Sequence, residues 1–407
     1  MEINIAINAH DGYVNLPLVC INSAIETKKP DVKYVYYIMY DEMNDENKKA
    51  FTRFQIENHN VEINYVYCKD LFTEYIPSDR WPVNSLYRLA LGERLPKLDK
   101  IIYMDGDVLV NGDLSEMYKI DIGDDKLFLG HLNTYGTKHV VETIYNTSLK
   151  TYICSGVMLM NLKKMRELHV QGLIENYILT HNKTIFNADE AVINYLFNDY
   201  IGVLSPQFGT FWYVGNSETS IREMYIRNDK SRSMYPLEEF LEGYKKQVVT
   251  HLVPRNGRKC FFYPYGLFDV YGMRWLNIAL KNNILHRVIG KFYIKDYEQN
   301  FYIKHDHSLL VLSKDEKSIF EAYEDGSIKC LDCGKYLCGM EFEDTPKDTW
   351  YIYPNDDGSY TFGLKSNIDL CMDIKGGMFI ENNNLQMWVT NGTKSQKFII
   401  QSLITIL

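Results

Sequence analysis

No stretch of this 407-residue chain approaches the ~20 consecutive apolar residues that a membrane-crossing helix needs, so no spanning segment is expected. A secretory signal is also missing. The chain opens Met1-Glu2-Ile3-Asn4-Ile5-Ala6-Ile7-Asn8, an alternating strand pattern with no basic start and no long apolar core. Positive charge is in deficit: 44 Lys and Arg against 53 Asp and Glu leave a net charge of −9, which argues against broad nucleic-acid binding. Proline is sparse, at 11, and 46% of residues are hydrophobic, a globular composition. The eight cysteines are scattered, which suits reduced thiols better than a disulfide framework. Their one tight group, Cys330, Cys333 and Cys338, offers three thiols without a clear fourth ligand and so makes a poor zinc site. These absences predict a cytoplasmic protein, in which the sequons at Asn146, Asn182 and Asn391 carry no glycan.

What the chain has is length for two or three domains and 32 tyrosines. A tyrosine ring with its hydroxyl suits a sugar surface, and it equally fills a β-rich core. The first hundred residues alternate strands with helices: strands over 3–8, 34–40, 63–67 and 100–104, helices over 17–27, 45–54 and 85–95. That rhythm predicts a mostly parallel sheet covered on both faces.

The chain is organised around residues 101–112, Ile-Ile-Tyr-Met-Asp-Gly-Asp-Val-Leu-Val-Asn-Gly. The apolar start reads as a buried parallel strand. Ligands of open α/β sheets bind beyond the carboxyl ends of strands, where Asp105 and Asp107 stand. Two hard oxygen ligands there suit a divalent cation carrying a diphosphate; an ordinary strand-end turn with both carboxylates in water is the alternative. Gly106 between them permits close approach of a ligand. The loop Ala9-His10-Asp11-Gly12-Tyr13 should share this rim, with Tyr13 stacking on a base and His10 hydrogen-bonding it. Arg88 could reach a phosphate, order the two Asp carboxylates, or lie solvated on its helix. Residues 151–162 read as a buried strand interrupted by Ser155-Gly156, where a ligand or another backbone comes close. Asp189 and Glu190 open a helix, where acids also serve the helix dipole. His251 follows a strand over 247–250, with Arg255, Arg258 and Lys259 just after it, a set that suits one more metal ligand and diphosphate neutralisation.

The Arg88 segment, the Asp-Gly-Asp and the run from Ser155-Gly156-Val157 to Asn161-Leu162 together resemble the retaining glycosyltransferases of family 8, in that family's motif order over roughly residues 1–280. Bacterial lipopolysaccharide galactosyl- and glucosyltransferases and glycogenin are among its members. The resemblance implies a GT-A nucleotide-sugar domain over residues 1–285, using Mn²⁺ or Mg²⁺ and a UDP-sugar, and a glycan, glycolipid or glycoprotein acceptor. It implies Asp105, Asp107 and His251 as metal ligands, and Asn8, Ala9, His10 and Tyr13 on the uridine. Arg88 and Gly106 would lie beside the donor, and Gly257 and Lys259 near its diphosphate. Asp189 would hold the donor sugar, and Glu190 would stabilise oxocarbenium character or act as nucleophile. Three departures stand out: Cys154 where the family has Asn, Glu190 where it has Gln, and Gly257 and Lys259 set farther from His251 than usual. Cys154 and the stretched loop after His251 motivate the alternative of a glycan-binding protein with an inactive transferase domain.

From about residue 291 short alternating strands and Gly/Asn/Asp turns replace the earlier rhythm, which predicts an all-β domain over 291–407. The motifs Cys371-Met-Asp-Ile-Lys-Gly-Gly, Leu385-Gln-Met-Trp388, Asn391-Gly-Thr and Ser395-Gln-Lys-Phe398 resemble one repeat of a ricin-type β-trefoil lectin. That resemblance implies Asp373 accepting sugar hydroxyls, Trp388 stacking on a pyranose and Gln396 assisting, with Phe398 at the core position and Ser395 in place of the usual Asn. Peripheral contact with the inner face of a membrane is compatible with the composition, though no basic amphipathic helix demands it.

Overall fold

The computed structural model describes all residues except 79–81, 182–184, 212–216, 231, 254–268, 286–287, 356 and 404–407. Two compact units divide the chain, Met1–Val253 and Pro254–Leu407.

The first unit contains ten described strands: β1 (Glu2–Asn8), β2 (Lys33–Tyr40), β3 (Val61–Tyr67), β4 (Lys100–Met104), β5 (Val108–Val110), β6 (Phe128–Leu132), β7 (Ile153–Asn161), β8 (Ile201–Val203), β9 (Phe208–Phe211) and β10 (Val249–His251). Seven form one sheet in the order β3-β2-β1-β4-β7-β6-β8. The half from β3 to β4 is parallel, as the strand–helix alternation predicts. The other half corrects that expectation. Strand β7 runs antiparallel to both β4 and β6, so the sheet is mixed. The reason lies in the chain path: β5 leaves this sheet after the Asp-Gly-Asp turn and pairs with β10 in a separate sheet, β5-β10-β9.

Central position explains the buried strands. Ile101 to Met104 of β4 are fully buried, as a strand covered on both faces requires. The polar member of the β1 alternation, Asn4, is buried too and donates to the Tyr118 hydroxyl at 3.1 Å. Helix Asn15–Thr27 buries Leu16, Val19, Cys20, Ser23 and Ala24. Asn44 caps helix Asp45–Glu57 by accepting from the Asn47 amide, and Asp45 and Glu46 fill its first turn. The single helix expected over 85–95 is instead a 3₁₀ segment, Val83–Ala90, followed by one turn of α-helix, Leu91–Arg94. The tighter winding carries Arg88 into the protein interior.

The second unit begins its described part with helix Val270–Lys281, capped by the Asp269 carboxylate. Twelve described strands follow: β11 (Gly290–Asp296), β12 (Tyr302–Asp306), β13 (Leu309–Ser313), β14 (Phe320–Ala322), β15 (Ile328–Cys330), β16 (Tyr336–Cys338), β17 (Glu341–Glu343), β18 (Trp350–Pro354), β19 (Tyr360–Leu364), β20 (Leu370–Ile374), β21 (Leu385–Val389) and β22 (Phe398–Ser402). They form one curled, all-β sheet whose described pairings are all antiparallel. Its core gathers Phe292, Phe320, Trp350, Phe362 and Phe398. Among the described residues of both units, no helix is long and apolar enough to cross a membrane.

Candidate active site

The carboxyl end of β4 carries the functional cluster. Immediately beyond Met104, Asp105 and Asp107 project toward His251, which closes β10. The β5–β10 pairing sets His251 opposite Val108, and the Leu252 amide donates to the Asp107 carbonyl at 2.8 Å, locking the two segments together. His251 Nε2 lies 3.3 Å from Asp107 Oδ1 and 3.7 Å from Asp105 Oδ2. One ligand atom from each of the three lies within 4.8 Å of the others. Ligands about 2.1 Å from a small divalent cation sit roughly 3 to 4 Å from one another, so this triad fits such an ion.

Strand β7 makes room for it. A Cβ on Gly156 would fall 2.1 Å from His251 Cε1 and 2.8 Å from Asp105 Oδ2, so only glycine is compatible with this arrangement. The close approach expected at Ser155-Gly156 is therefore made by the cluster's own side chains. The Asp105 amide is fixed as well, donating to the Gly156 carbonyl at 2.8 Å. A Cβ on Gly106 would meet Pro17 at 2.8 Å and the Tyr13 ring at 2.9 Å, so the turn also packs closely on the loop after β1 and the start of the first helix.

Arg88 is not solvated on its helix, and of the two carboxylates it is expected to order it reaches Asp105. It is buried, donates through Nη2 to Asp105 Oδ1 (2.9 Å) and through Nη1 to the Ser155 carbonyl (2.8 Å), and pairs with Asp189 Oδ2 at 3.2 Å. Its guanidinium also lies over the Tyr103 ring, 4.1 Å from the centroid, while the Tyr103 hydroxyl donates to Asp105 Oδ1 at 2.7 Å. Arg88 thus orders Asp105 and Asp189. The two share one guanidinium, and Asp107 lies by the His251 imidazole, an excess of acid that favours a cation.

The titrating groups respond to this crowding. Burial pulls the His251 pKa down, but Asp107 and Asp105 outweigh that and hold it above the ordinary imidazole value. His131, buried beside Phe211 and Tyr235, has its pKa pushed down to about 3 by burial and by the His251 charge. Burial raises Asp189 against the pull of Arg88. Glu190 is raised to about 7, chiefly by burial, with the Tyr152 hydrogen bond opposing and the Asp189 charge adding. Its Oε1 accepts from Tyr152 (3.0 Å), Asn133 (3.1 Å) and Asn187 (3.3 Å). The chain enters the helix Ala188–Leu196 through two left-handed residues, Asn187 (φ 53°) and Ala188 (φ 44°), a strained entry that aims both acids inward.

The remaining candidates divide. Asn8 donates to the Asn84 carbonyl at 2.7 Å, and its buried Oδ1 is unsatisfied. Ala9 is buried, while His10 and Tyr13 stack on each other with ring centroids 5.7 Å apart. Cys154 Sγ sits 3.6 Å from His251 Nδ1, whereas Nε2 is the ring nitrogen beside Asp105 and Asp107. Gly257 and Lys259, with Arg255 and Arg258, lie outside the described residues. Tyr103, Tyr152, Asn133 and His131 receive no role from the sequence; hydrogen bonds to the acids reveal the first three, and burial against Phe211 and Tyr235 reveals His131.

In the second unit, Asp373 is buried and accepts from Gln386 (3.1 Å) and Ser395 (3.1 Å). Gln396 spends both ends of its amide on backbone, accepting from Asn391 and Gly392 and donating to Val389. Trp388 is 54% exposed on β21.

A mixed α/β sheet with two carboxylates and an imidazole beyond its central strand has the architecture of a GT-A-type domain. The chain belongs to glycosyl transferase family 8, whose sequence profile residues 4–230 match. It is 22% identical over 235 residues to the lipopolysaccharide 1,2-glucosyltransferase of Escherichia coli, an alignment covering 55% of this chain and 67% of that protein. It is 24% identical over 200 residues to glycosyltransferase GlyF of Streptococcus pneumoniae, covering 49% of this chain and 46% of that one. The chain thus spans about half to two thirds of these relatives' lengths. The crystal structure of galactosyltransferase LgtC with donor and acceptor sugar analogs aligns with a TM-score of 0.54 and 18% identity over 70% of this chain and 97% of that one, a likeness of fold.

Proposed function

We propose that this protein is a metal-dependent retaining glycosyltransferase that moves a hexose, glucose or galactose, from a UDP-sugar to a glycan, glycolipid or glycoprotein. The observation that carries this reading is the convergence of Asp105, Asp107 and His251 at the carboxyl edge of the sheet. These three side chains would hold Mn²⁺ or Mg²⁺. When bound, the cation supplies charge neutralisation for the departing diphosphate. Asn8, His10 and Tyr13 border the same rim and are assigned to the uridine. Asp189 braces Arg88, which fixes Asp105; a sugar contact by Asp189 would have to compete with that pair. Glu190 carries the charge opposite the reacting carbon, as stabiliser of oxocarbenium character or as nucleophile, while the acceptor hydroxyl attacks on the face the diphosphate leaves. Asn187, which donates to Glu190, also lines a groove with Thr134, Thr137, Val140 and Phe186, and we assign the acceptor to it. The free thiols of the described cysteines support a reducing, cytoplasmic setting.

The test is release of free nucleotide from a panel of nucleotide sugars, with Mn²⁺ or with EDTA. One UDP-sugar turned over only with metal, and not by Asp105→Asn/Asp107→Asn, supports the reading and names the donor. Absence of both turnover and UDP–Mn²⁺ binding would overturn it.

For the second unit, sugar stacking is assigned to Trp388 alone, because Asp373 and Gln396 are engaged by the protein itself.

A further inference from the structure

The second unit brings together a second set of metal-type ligands that the enzyme reading does not use. Strand β15 ends at Cys330, and the turn Cys330-Leu-Asp-Cys-Gly-Lys335 folds back on it. The Gly334 amide donates to the Cys330 carbonyl and the Cys330 amide to the Lys335 carbonyl, both at 2.9 Å. Gly334 takes φ +74°, which lets so short a turn bring Cys333 beside Cys330. Burial raises the Cys330 thiol to about 11, with the backbone N–H groups of Cys333 and Asp332 opposing that rise.

The third member comes from elsewhere in the sequence. His305 lies on β12, opposite Leu310 of β13, and its amide donates to Ser318 Oγ at 2.8 Å. Its ring meets the Phe342 ring edge-on, with centroids 4.3 Å apart, which fixes the direction of the imidazole. One ligand atom from each of His305, Cys330 and Cys333 lies within 4.8 Å of the others. Zinc–sulfur bonds of about 2.3 Å and zinc–nitrogen bonds of about 2.0 Å put tetrahedral neighbours roughly 3.5 to 3.8 Å apart, so closing the cluster on an ion takes a contraction of at most about 1.3 Å. Cys338 does not take part: its sulfur accepts from the Lys347 amide at 3.2 Å and lies by the Thr345 carbonyl. The tight group visible in the sequence is therefore two thiols, and the imidazole replaces the third.

The geometry points to a zinc site formed by His305, Cys330 and Cys333, with water in the fourth position, that ties strand β12 to the β15–β16 hairpin. Two thiolates neutralise the dication, and the soft sulfur donors select Zn²⁺ over the Mn²⁺ or Mg²⁺ suited to the acidic cluster of the first unit. Binding requires loss of the thiol protons and stabilises this unit by mass action.

The experiment titrates Co²⁺ into the reduced, metal-free full-length chain and follows absorbance. The expected result is a thiolate-to-cobalt charge-transfer band with tetrahedral ligand-field bands, saturating at one ion and displaced by Zn²⁺. The band should persist in Asp105→Asn/Asp107→Asn, because those oxygen ligands cannot give it, and vanish in Cys330→Ser and Cys333→Ser. His305→Ala, at a part-exposed position that tolerates truncation, should weaken Zn²⁺ binding at least as much as loss of an outer-shell partner does, about 10- to 100-fold. Three outcomes would overturn the proposal: no charge-transfer band in the reduced wild type, undiminished affinity in His305→Ala, or a Cys330–Cys333 disulfide by intact mass in a chain that takes up no metal after reduction.

Discussion

The two units each gather three metal-type ligands, and they do so by opposite means. In the first unit Asp105, Asp107 and His251 come from two strand ends of different sheets, and a buried arginine braces Asp105. In the second, two of the three ligands come from one hairpin turn and only the histidine is imported. The first set is hard and anionic, made for a cation that carries phosphate oxygens; the second is soft and suits a structural ion. The difference teaches that a site assembled across a sheet depends on every element that positions it, whereas a turn-borne site depends on local backbone. That contrast can be broken at single residues.

The largest effect should come from Arg88→Met. Asp105 and Asp189 would then be left without their counter-charge inside the first unit, a loss of about 3–5 kcal/mol. Urea unfolding of the metal-free chain should show the first unit's midpoint falling while the second unit's stays. Arg88→Lys should recover little, since one ammonium cannot serve Asp105, Asp189 and the Ser155 carbonyl together. Equal unfolding of wild type and Arg88→Met would refute the bracing role.

Two glycine substitutions sharpen the comparison. Gly156→Ala drives a methyl group into His251 and Asp105 and should weaken divalent-metal binding by about a hundredfold or more, with turnover following. Gly334→Ala meets no neighbouring atom and suffers only its left-handed backbone, a cost of about 1–2 kcal/mol to the second unit. Calorimetric titration with Mn²⁺ separates them: loss of binding in the second variant would mean that the two units are not independent.

Glu190 gives a pH signature. Its pKa rises from 4.5 in the unfolded chain to about 7 in the fold, so the folded state holds the proton more tightly. Between those values the unfolded chain has lost a proton that the fold keeps, and stability falls as pH rises through this window. Glu190→Gln removes the charge that the fold resists. It should leave stability unchanged near pH 4 and raise it at pH 8 by on the order of 1–3 kcal/mol, while slowing transfer greatly. Thermal unfolding at both pH values with EDTA, beside nucleotide release with metal, checks both. A variant that is stabilised yet fully active would remove Glu190 from catalysis.

How much of this was legible in the sequence follows the same contrast. Strand β4 and its two acids could be read directly, because a fully buried parallel strand is a continuous apolar run and the acids interrupt it. The direction of β7 could not, since a strand buried on both faces looks the same in either direction. Nor could the burial of Arg88, which depends on 3₁₀ winding that helical periodicity does not reveal. Gly156 was recognisable as a point of close approach, but not what approaches. The packing of Tyr13 and Pro17 on Gly106 was likewise not legible, since it depends on how the first helix meets the turn. Cys330 and Cys333 stood out by spacing, while His305 carried no signal because only the antiparallel register of β12 and β13 delivers it.

The smallest expected effect is at Trp388 of the second unit, and Trp350 of the same unit sets its scale. Trp350 is buried and donates its indole N–H to the Leu337 carbonyl at 2.8 Å, so Trp350→Ala should cost about 3–5 kcal/mol. Trp388 leaves more than half its surface in solvent, and Trp388→Ala should change the unfolding midpoint by no more than about 0.5 kcal/mol. A large aromatic face that contributes nothing to stability is free to serve a ligand. Binding of simple hexoses and their oligomers, followed by indole fluorescence in wild type and Trp388→Ala, decides whether it does. Quenching by a glycan that disappears with the ring, with the fold unchanged, would establish stacking at β21. No glycan response in the wild type would leave Asp373 and Gln396 as the braces of a hairpin and the second unit as a scaffold.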